Sequence, residues 1–173
     1  MKFAFVLAAA IAVAALSTAT GSDSARAAAN LPGVDTGQEV APAALNPQIW
    51  SPLEKQMHRL HNRARLRNDL PPVRATNPLG RLAAYRCRQI KTNFSHDGFP
   101  QALQRFGVQA RWAGENIARN FYPRNQTVQF TFDQWMGSAG HRGNILNPRY
   151  DRVGIGHCTK WNGENFWVAV FIG

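Results

Sequence analysis

The stretch from Trp135 to Leu146 reads WMGSAGHRGNIL and places His141 between two glycines. It follows a segment in which Val128, Phe132 and Trp135 recur at spacings of four and three residues. That spacing predicts an amphipathic helix over 126–136. His141 is therefore expected in a loop just beyond the end of this helix. Its role there is either that of a functional group or that of an ordinary loop histidine between flexible glycines.

The pattern outside this stretch predicts helices first and a pair of strands last. Helices are predicted where apolar residues recur every three or four positions, and strands where β-branched and aromatic residues are concentrated. Helices followed by strands favour an α+β layer architecture. The predicted helices cover about 49–69, 78–92, 101–106 and 126–136, and the predicted strands cover 110–118, 153–159 and 165–172.

The N-terminal region is predicted to be a secretory signal peptide over residues 1–27. A positive start is followed by an apolar run over 3–16 and by an Ala-Arg-Ala cleavage site that ends at Ala27. This run is shorter than the roughly 20 residues that span a bilayer, so we expect no permanent membrane anchor. Residues 28–46 are predicted to be a flexible linker and 47–173 the folded domain. The sequence thus predicts a protein secreted after cleavage near Ala27.

The net charge of +10 indicates a cationic surface, and removal of the signal region leaves +9. Such a surface favours anionic partners in general, among them envelope polysaccharide and lipid head groups. A solubilising role for the charge is the simpler interpretation. No nucleic-acid-binding motif is present, so specific nucleic-acid recognition is not expected.

The chain has two cysteines, Cys87 and Cys158. Outside the cytoplasm an even pair is more often a disulfide than two thiols, although this argument leaves both states open. Two separate cysteines do not form a zinc site of the CxxC type.

Three strong polar groups lie in three separate segments, SHDGFP, WAGENI and GSAGHRGN. These groups are His96, Glu115 and His141, which are 19 and 26 residues apart. No HExxH, GxSxG or phosphate-binding glycine loop unites them. Their spacing alone does not bring them together, and each has an ordinary structural explanation as a cap, an arginine partner or a loop residue.

Taken in order, however, these segments resemble the bacterial branch of the CAP superfamily of cysteine-rich secretory and pathogenesis-related proteins. The resemblance implies a three-layer α-β-α sandwich with a small antiparallel sheet between helical layers. It runs through LHNRAR (60–65), FSHDGF (94–99), GENIA (114–118), WMGSAGHRGNIL (135–146), VGIGHC (153–158) and FWVAVF (166–171).

The resemblance also implies that His96, Glu115 and His141 meet in one open cleft. Asn116 is expected to fix its loop through side-chain hydrogen bonds. Ser138 occupies a position where eukaryotic members carry a second glutamate, so one carboxylate of the cleft is absent. The glycines at 140 and 143 would then serve a tight turn that aims His141 into the cleft. The segment 121–123, Phe-Tyr-Pro, is expected to line one wall of the cleft.

Two classes of function follow. In the first, the domain is a non-enzymatic binding module for an extracytoplasmic lipid, polysaccharide or protein partner. In the second, it is a metal-dependent hydrolase or peptidase, with Glu115 as general base and His96 and His141 as ligands of Zn²⁺ that has an open position. A hydrolytic triad of Ser138, His141 and Glu115 is disfavoured, because the serine lacks a nucleophile elbow and an oxyanion hole.

Overall fold

Strand β4 (Asn165–Ile172) forms the centre of the molecule, and every one of its residues is buried. The computed structural model describes residues 50–173. Side chains of a strand alternate between its two faces, and those of β4 alternate between two hydrophobic cores. Trp167, Ala169 and Phe171 belong to one core, whereas Phe166, Val168, Val170 and Ile172 belong to the other.

Five helices and four strands make up the described part of the chain. The strand order in the sheet is β1-β3-β4-β2; β4 pairs antiparallel with both β2 and β3, and β1 pairs parallel with β3. In chain order the elements are α1 (Pro52–Leu66), β1 (Arg74–Ala75), α2 (Asn77–Thr92), α3 (Phe99–Arg105), β2 (Ala113–Asn120), α4 (Thr127–Gly137), α5 (Ala139–Ile145), β3 (Arg152–Thr159) and β4.

Helices cover the sheet on both faces. The first core joins α1, α4 and α5 to the sheet through residues such as Met57, Trp135 and Ile145. The second joins α2 and α3 to the opposite face through residues such as Leu82 and Ala102. The predicted α+β class and the three-layer α-β-α sandwich are therefore confirmed. The short edge strand β1, which pairs parallel with β3, is the one departure from an antiparallel sheet in the described residues.

Two glycines of the VGIGHC segment let α2 lie directly on β3. A Cβ atom at Gly154 would collide with the main chain of Leu79, and one at Gly156 would collide with the main chain of Ala83. One helical turn beyond Ala83, Cys87 forms a disulfide with Cys158. The disulfide that the sequence left open is confirmed, and it ties α2 to the end of β3 across a sequence separation of 71 residues.

Arg65 joins the end of α1 to the region that carries the candidate site. Its side chain is fully buried and donates hydrogen bonds only to main-chain carbonyl oxygens, at distances of 2.8–3.0 Å. Four carbonyls share this one guanidinium, so it closes loop ends that would otherwise leave buried acceptors without partners. The carbonyls belong to Pro71, Ile145, Asn147 and Tyr150.

The predicted loop around His141 is instead helix α5, which follows α4 after a break at Ser138. Gly143 has no positive φ, and a Cβ atom there would meet nothing within 4 Å. The expectation that Gly143 serves a tight turn is therefore wrong, because it lies inside α5 with ordinary helical backbone.

The predicted signal peptide and linker, 1–46, lie outside the described residues. Within 50–173, no helix is both long and apolar enough to cross a membrane.

Candidate functional site

Glu115 is the centre of the candidate site. It lies on β2 opposite Val170 of β4, and the alternation along the strand puts it on the same face as Ile117, toward α2. Its side chain is only 1% exposed. Arg86 of α2 meets it there, with its Nε donating to Oε1 at 2.7 Å and its Nη2 donating to Oε2 at 3.1 Å. The carboxylate is thus held by a buried, two-point ion pair.

His96 approaches the same carboxylate from the loop between α2 and α3. Its Nδ1 lies 2.9 Å from Oε2 of Glu115, and its side chain is 11% exposed. Since a carboxylate can only accept, Nδ1 carries the proton of this hydrogen bond. In the neutral ring Nε2 is then an acceptor, and it has no hydrogen-bond partner among the described residues.

Arg86 also fixes the loop that carries His96. Its Nη2 donates to the carbonyl oxygen of Ser95 at 2.8 Å, and its Nη1 donates to Oε1 of Gln89 at 2.7 Å. Gly98 lies against this guanidinium, which occupies the space that a Cβ atom would need. The buried role of Arg86 was not predicted from the sequence. A signal existed, because Arg86 stands at a helical spacing of three from Ala83, on the apolar face of α2, where an unpaired arginine would be costly.

His141 enters the site from α5. Asn116 of β2 donates from Nδ2 to the main-chain oxygen of His141 at 3.0 Å, and Asn144 donates to Oδ1 of Asn116 at 2.8 Å. These bonds agree with the expected role of Asn116 as a residue that fixes its surroundings. Asn144, whose role was not predicted from the sequence, joins β2 to α5.

The His141 ring is buried, with 2% of the residue exposed. Burial, and to a smaller extent electrostatic repulsion from His96, lowers the pKa of this imidazole to about 4. The ring is therefore neutral at physiological pH, with one donor and one acceptor nitrogen. Within the described part of the chain neither nitrogen has a hydrogen-bond partner. Buried polar groups are normally paired, so these nitrogens are available to a ligand or to water.

Ser138 stands at the break between α4 and α5 and makes no side-chain cap bond to either helix. In residues 50–173 no hydrogen bond connects it to His141, and none connects His141 to the carboxylate of Glu115. The hydrogen-bonded chain that a hydrolytic triad requires is thus not formed here.

The segment 121–123 does not line this site. Phe121 lies six residues beyond Glu115, which is about 20 Å at the 3.4 Å per residue of a strand.

A three-ligand metal site also finds limited support in this geometry. Both oxygens of Glu115 are occupied by Arg86 and His96. Among residues 50–173 there is no group of three or more His, Cys, Asp or Glu side chains that could hold a metal ion. The imidazole nitrogens of His96 and His141 that lack partners remain as two possible ligands, which is fewer than the three protein ligands typical of catalytic zinc.

The family model of the cysteine-rich secretory protein family, CAP, matches residues 58–171. The chain belongs to the CAP family. The match includes every residue of the site described above, so His96, Glu115 and His141 all lie within the family domain. The CAP chain also has solved structural neighbours and sequence relatives in bacteria.

The uncharacterized protein YkwD of Bacillus subtilis (strain 168) is 31% identical over 134 residues, which cover 73% of this chain and 49% of that protein. An extracellular protein of Bacillus anthracis that contains an SCP domain is 28% identical, with a TM-score of 0.60, and the match covers 72% of this chain and 44% of that one. A cysteine-rich secretory protein of Staphylococcus aureus has the same TM-score at 21% identity, over 76% and 40% of the two chains, and shows the fold alone. This chain spans half or less of each of these relatives.

Proposed function

We propose that this CAP protein is exported and acts as a non-enzymatic binding module whose ligand enters the cleft between His96, Glu115 and His141. The observation that carries the proposal is the state of Glu115. Both of its oxygens accept hydrogen bonds from Arg86 or His96, and its side chain is almost fully buried. A general base needs an oxygen that can reach the proton of a water or substrate, and this carboxylate is already used to position two neighbours.

The groups that are available in the cleft are imidazole nitrogens. His141 is neutral and offers one donor and one acceptor, and His96 offers Nε2. Such groups exchange hydrogen bonds with hydroxyl and amide groups, which polysaccharides, lipid head groups and peptides all carry. The net charge of +10 favours ligands on anionic envelope surfaces by long-range attraction.

Three observations support export: the N-terminal sequence, a structural neighbour and the disulfide. The N-terminal segment has the pattern of a signal peptide, and the Bacillus anthracis neighbour is an extracellular protein. The disulfide between Cys87 and Cys158 fits an oxidising compartment outside the cytoplasm.

Metal-dependent hydrolysis is the second candidate function. The observation in its favour is that the nitrogens of His96 and His141 lack protein partners, as the nitrogens of metal ligands would. Zn²⁺ bound there would act as a Lewis acid on a substrate carbonyl. In this alternative Glu115 would hold the ring of His96 through Nδ1, in the way that a carboxylate orients a metal-binding histidine.

The deciding experiment is a calorimetric Zn²⁺ titration of the purified protein beside its His141→Ala variant. The binding module predicts at most weak Zn²⁺ binding and no peptide or ester hydrolysis with added Zn²⁺. Stoichiometric, tight binding that His141→Ala abolishes, together with hydrolysis that Glu115→Gln abolishes, would overturn it.

Ligand binding is tested separately by NMR of the histidine rings, with muramyl dipeptide and dihexanoyl phosphatidylglycerol as soluble probes. The proposal expects shifts of the His96 and His141 resonances with at least one of these probes. His58 of α1 is the internal control. Its Nε2 already has a hydrogen-bond partner, the carbonyl oxygen of Val73 at 2.8 Å. Equal shifts of His58 would show that the probe does not select the cleft and would contradict the proposal.

A further inference from the structure

Three exposed aromatic side chains of the described residues lie at one end of the sheet. Among the described residues four large hydrophobic side chains are exposed, and three of them are Trp161 at 98%, Phe121 at 66% and Phe130 at 40%. Together with Tyr122 these residues are called the aromatic end below. A single exposed apolar residue needs no explanation, whereas a group of them indicates an interaction surface.

The sheet register brings the aromatic end together. Trp161 lies in the turn between β3 and β4, and Phe121 directly follows β2. The last residue of β2, Asn120, pairs with the first residue of β4, Asn165. Asn165 also donates from Nδ2 to the carbonyl oxygen of Tyr122 at 2.9 Å. The turn and the segment after β2 therefore leave the sheet at the same end.

Buried hydrogen bonds hold the segment after β2 in place. Asn120 donates to Thr131 and accepts from Thr127, both at 2.9 Å, and Trp167 donates to Thr127 at 2.9 Å. This network fixes the start of α4 against β2 and β4. As a result Phe130 of α4 stacks on Tyr122, with ring centroids 3.7 Å apart and planes within 3°. The aromatic end is thus preorganised before it meets any partner.

The turn that carries Trp161 is also fixed. Lys160 donates its main-chain N–H to the carbonyl of Glu164 at 2.9 Å, and Gly163 donates to the carbonyl of Lys160 at 3.1 Å. Gly163 has a φ of 83°, which a glycine adopts without strain. Trp161 therefore projects from a closed turn, with almost all of its surface in solvent.

Three cations lie close in sequence to the aromatic end. Arg119, Arg124 and Lys160 lie within a few residues of Phe121 or Trp161. The nearby acid, Glu164, is 7% exposed and turns toward two of these cations, at 3.8 Å from Arg119 and 3.5 Å from Lys160. Glu164 therefore offsets part of this positive charge. With the exposed Asp133, which lies three residues from Phe130 on α4, the five charged groups still sum to +1.

We propose that the aromatic end docks this protein on an anionic lipid bilayer, with Trp161 and Phe121 in the headgroup region and the three cations on lipid phosphates. Tryptophan and tyrosine are enriched at membrane interfaces, where one part of the ring is apolar and the other is hydrated. Basic residues beside an anionic membrane add to binding by charge attraction. Docking here is independent of the cleft, because Phe121 is about 20 Å along β2 from Glu115.

A bilayer fits this surface better than a polysaccharide does. A sugar site needs polar groups that converge in a groove beside the aromatic ring, and at 98% exposure Trp161 has no groove walls around it. The facing surfaces of Tyr122 and Phe130 are already stacked on each other. A ring that projects freely can enter a fluid interface without such walls.

The test uses the tryptophan fluorescence of the purified protein with vesicles of equimolar phosphatidylglycerol and phosphatidylcholine. Of the five tryptophans, Trp50, Trp135 and Trp167 are buried and Trp112 is partly buried. A blue shift on vesicle binding would therefore report Trp161. Binding of Trp161→Ala, which lacks this reporter, is compared with the wild type by co-sedimentation with the vesicles. We expect the substitution to weaken binding about tenfold, because removing a large apolar side chain from a partly buried state costs about 1.4 kcal/mol or more.

Leu66→Ala is the matched control, since Leu66 is 61% exposed but lies at the end of α1, far from the aromatic end. We expect it to bind vesicles like the wild type, and we expect pure phosphatidylcholine to bind all variants weakly. Equal binding by the wild type and Trp161→Ala would overturn the proposal. A Trp161 response to soluble polygalacturonate, with none to vesicles, would overturn it in favour of a polysaccharide surface. The His141→Ala variant should dock normally, which separates this result from that of the cleft.

Discussion

The guanidinium of Arg86 and the carboxylate of Glu115 form a buried pair, with two hydrogen bonds of 2.7 and 3.1 Å and side chains that are 2% and 1% exposed. The pair links the second helix to the second strand at the candidate site. A buried ion pair adds modest net stability when it is complete. Removing one partner is costly, because it leaves a buried charge without compensation.

Arg86→Ala should therefore lower the free energy of unfolding by about 3–5 kcal/mol. Arg88→Ala is the control, because Arg88 is exposed on the same helix and a surface substitution of this kind changes stability by about 0.5 kcal/mol or less. Urea unfolding followed by circular dichroism measures both. If the two variants lost equal stability, the buried pair would not have the structural importance given to it here.

Much of the fold could be predicted from the sequence, because its central elements follow simple periods. Strand β4 was predicted over its full length, because β-branched and aromatic residues are concentrated in it. The break at Ser138 was also visible, but the helix after it was not, because two glycines in seven residues suggest a loop. Tertiary contacts such as the bond from Asn116 to the main chain of His141 support α5 where local propensity does not.

The candidate site was predictable only in part. His96, Glu115 and His141 stood out in the sequence as polar groups of three separate segments. Their meeting in one site was implied only by the family resemblance, since no spacing rule connects them. Arg86 was overlooked because the chain has many arginines, and composition favours a solvent-exposed role for each. Only its place on the apolar face of α2 marks it as buried. Full exposure of Trp161 could not be predicted either, because strand-flanking aromatic residues usually pack.

The disulfide between Cys87 and Cys158 should make a large contribution to stability. It closes a sequence separation of 71 residues, for which the chain-entropy model gives about 4 kcal/mol. The double variant Cys87→Ala/Cys158→Ala should lose roughly that amount in urea unfolding. Dithiothreitol should bring the wild type to the same stability and leave the double variant unchanged. A loss below about 1 kcal/mol would argue against a structural role for the bond.

Two glycine substitutions should have opposite effects. Gly156→Ala places a Cβ atom against the main chain of Ala83, where overpacking should cost about 1–3 kcal/mol. Gly143→Ala, in contrast, meets nothing within 4 Å and lies in α5, where alanine favours the helix by up to about 1 kcal/mol over glycine. Thermal unfolding of the two variants compares them directly. A destabilised Gly143→Ala would show that this glycine has a role which the backbone of α5 does not reveal.

Acid should destabilise the protein through its buried histidines. Burial lowers the pKa of His61 and of His141 from 6.5 to about 4. Between these values the unfolded chain binds protons that the folded chain does not, so stability is retained above about pH 6.5 and falls as the pH drops toward 4. Each histidine contributes a slope of up to about 1.4 kcal/mol per pH unit.

Urea unfolding at several pH values from 7 to 4.5 should show this loss of stability. The His141→Gln variant lacks one of the two histidines, so its free energy of unfolding should depend on pH with a smaller slope. An unchanged slope in that variant would mean that His141 is already protonated in the folded state, and the neutral donor and acceptor pair assigned to the cleft would be wrong.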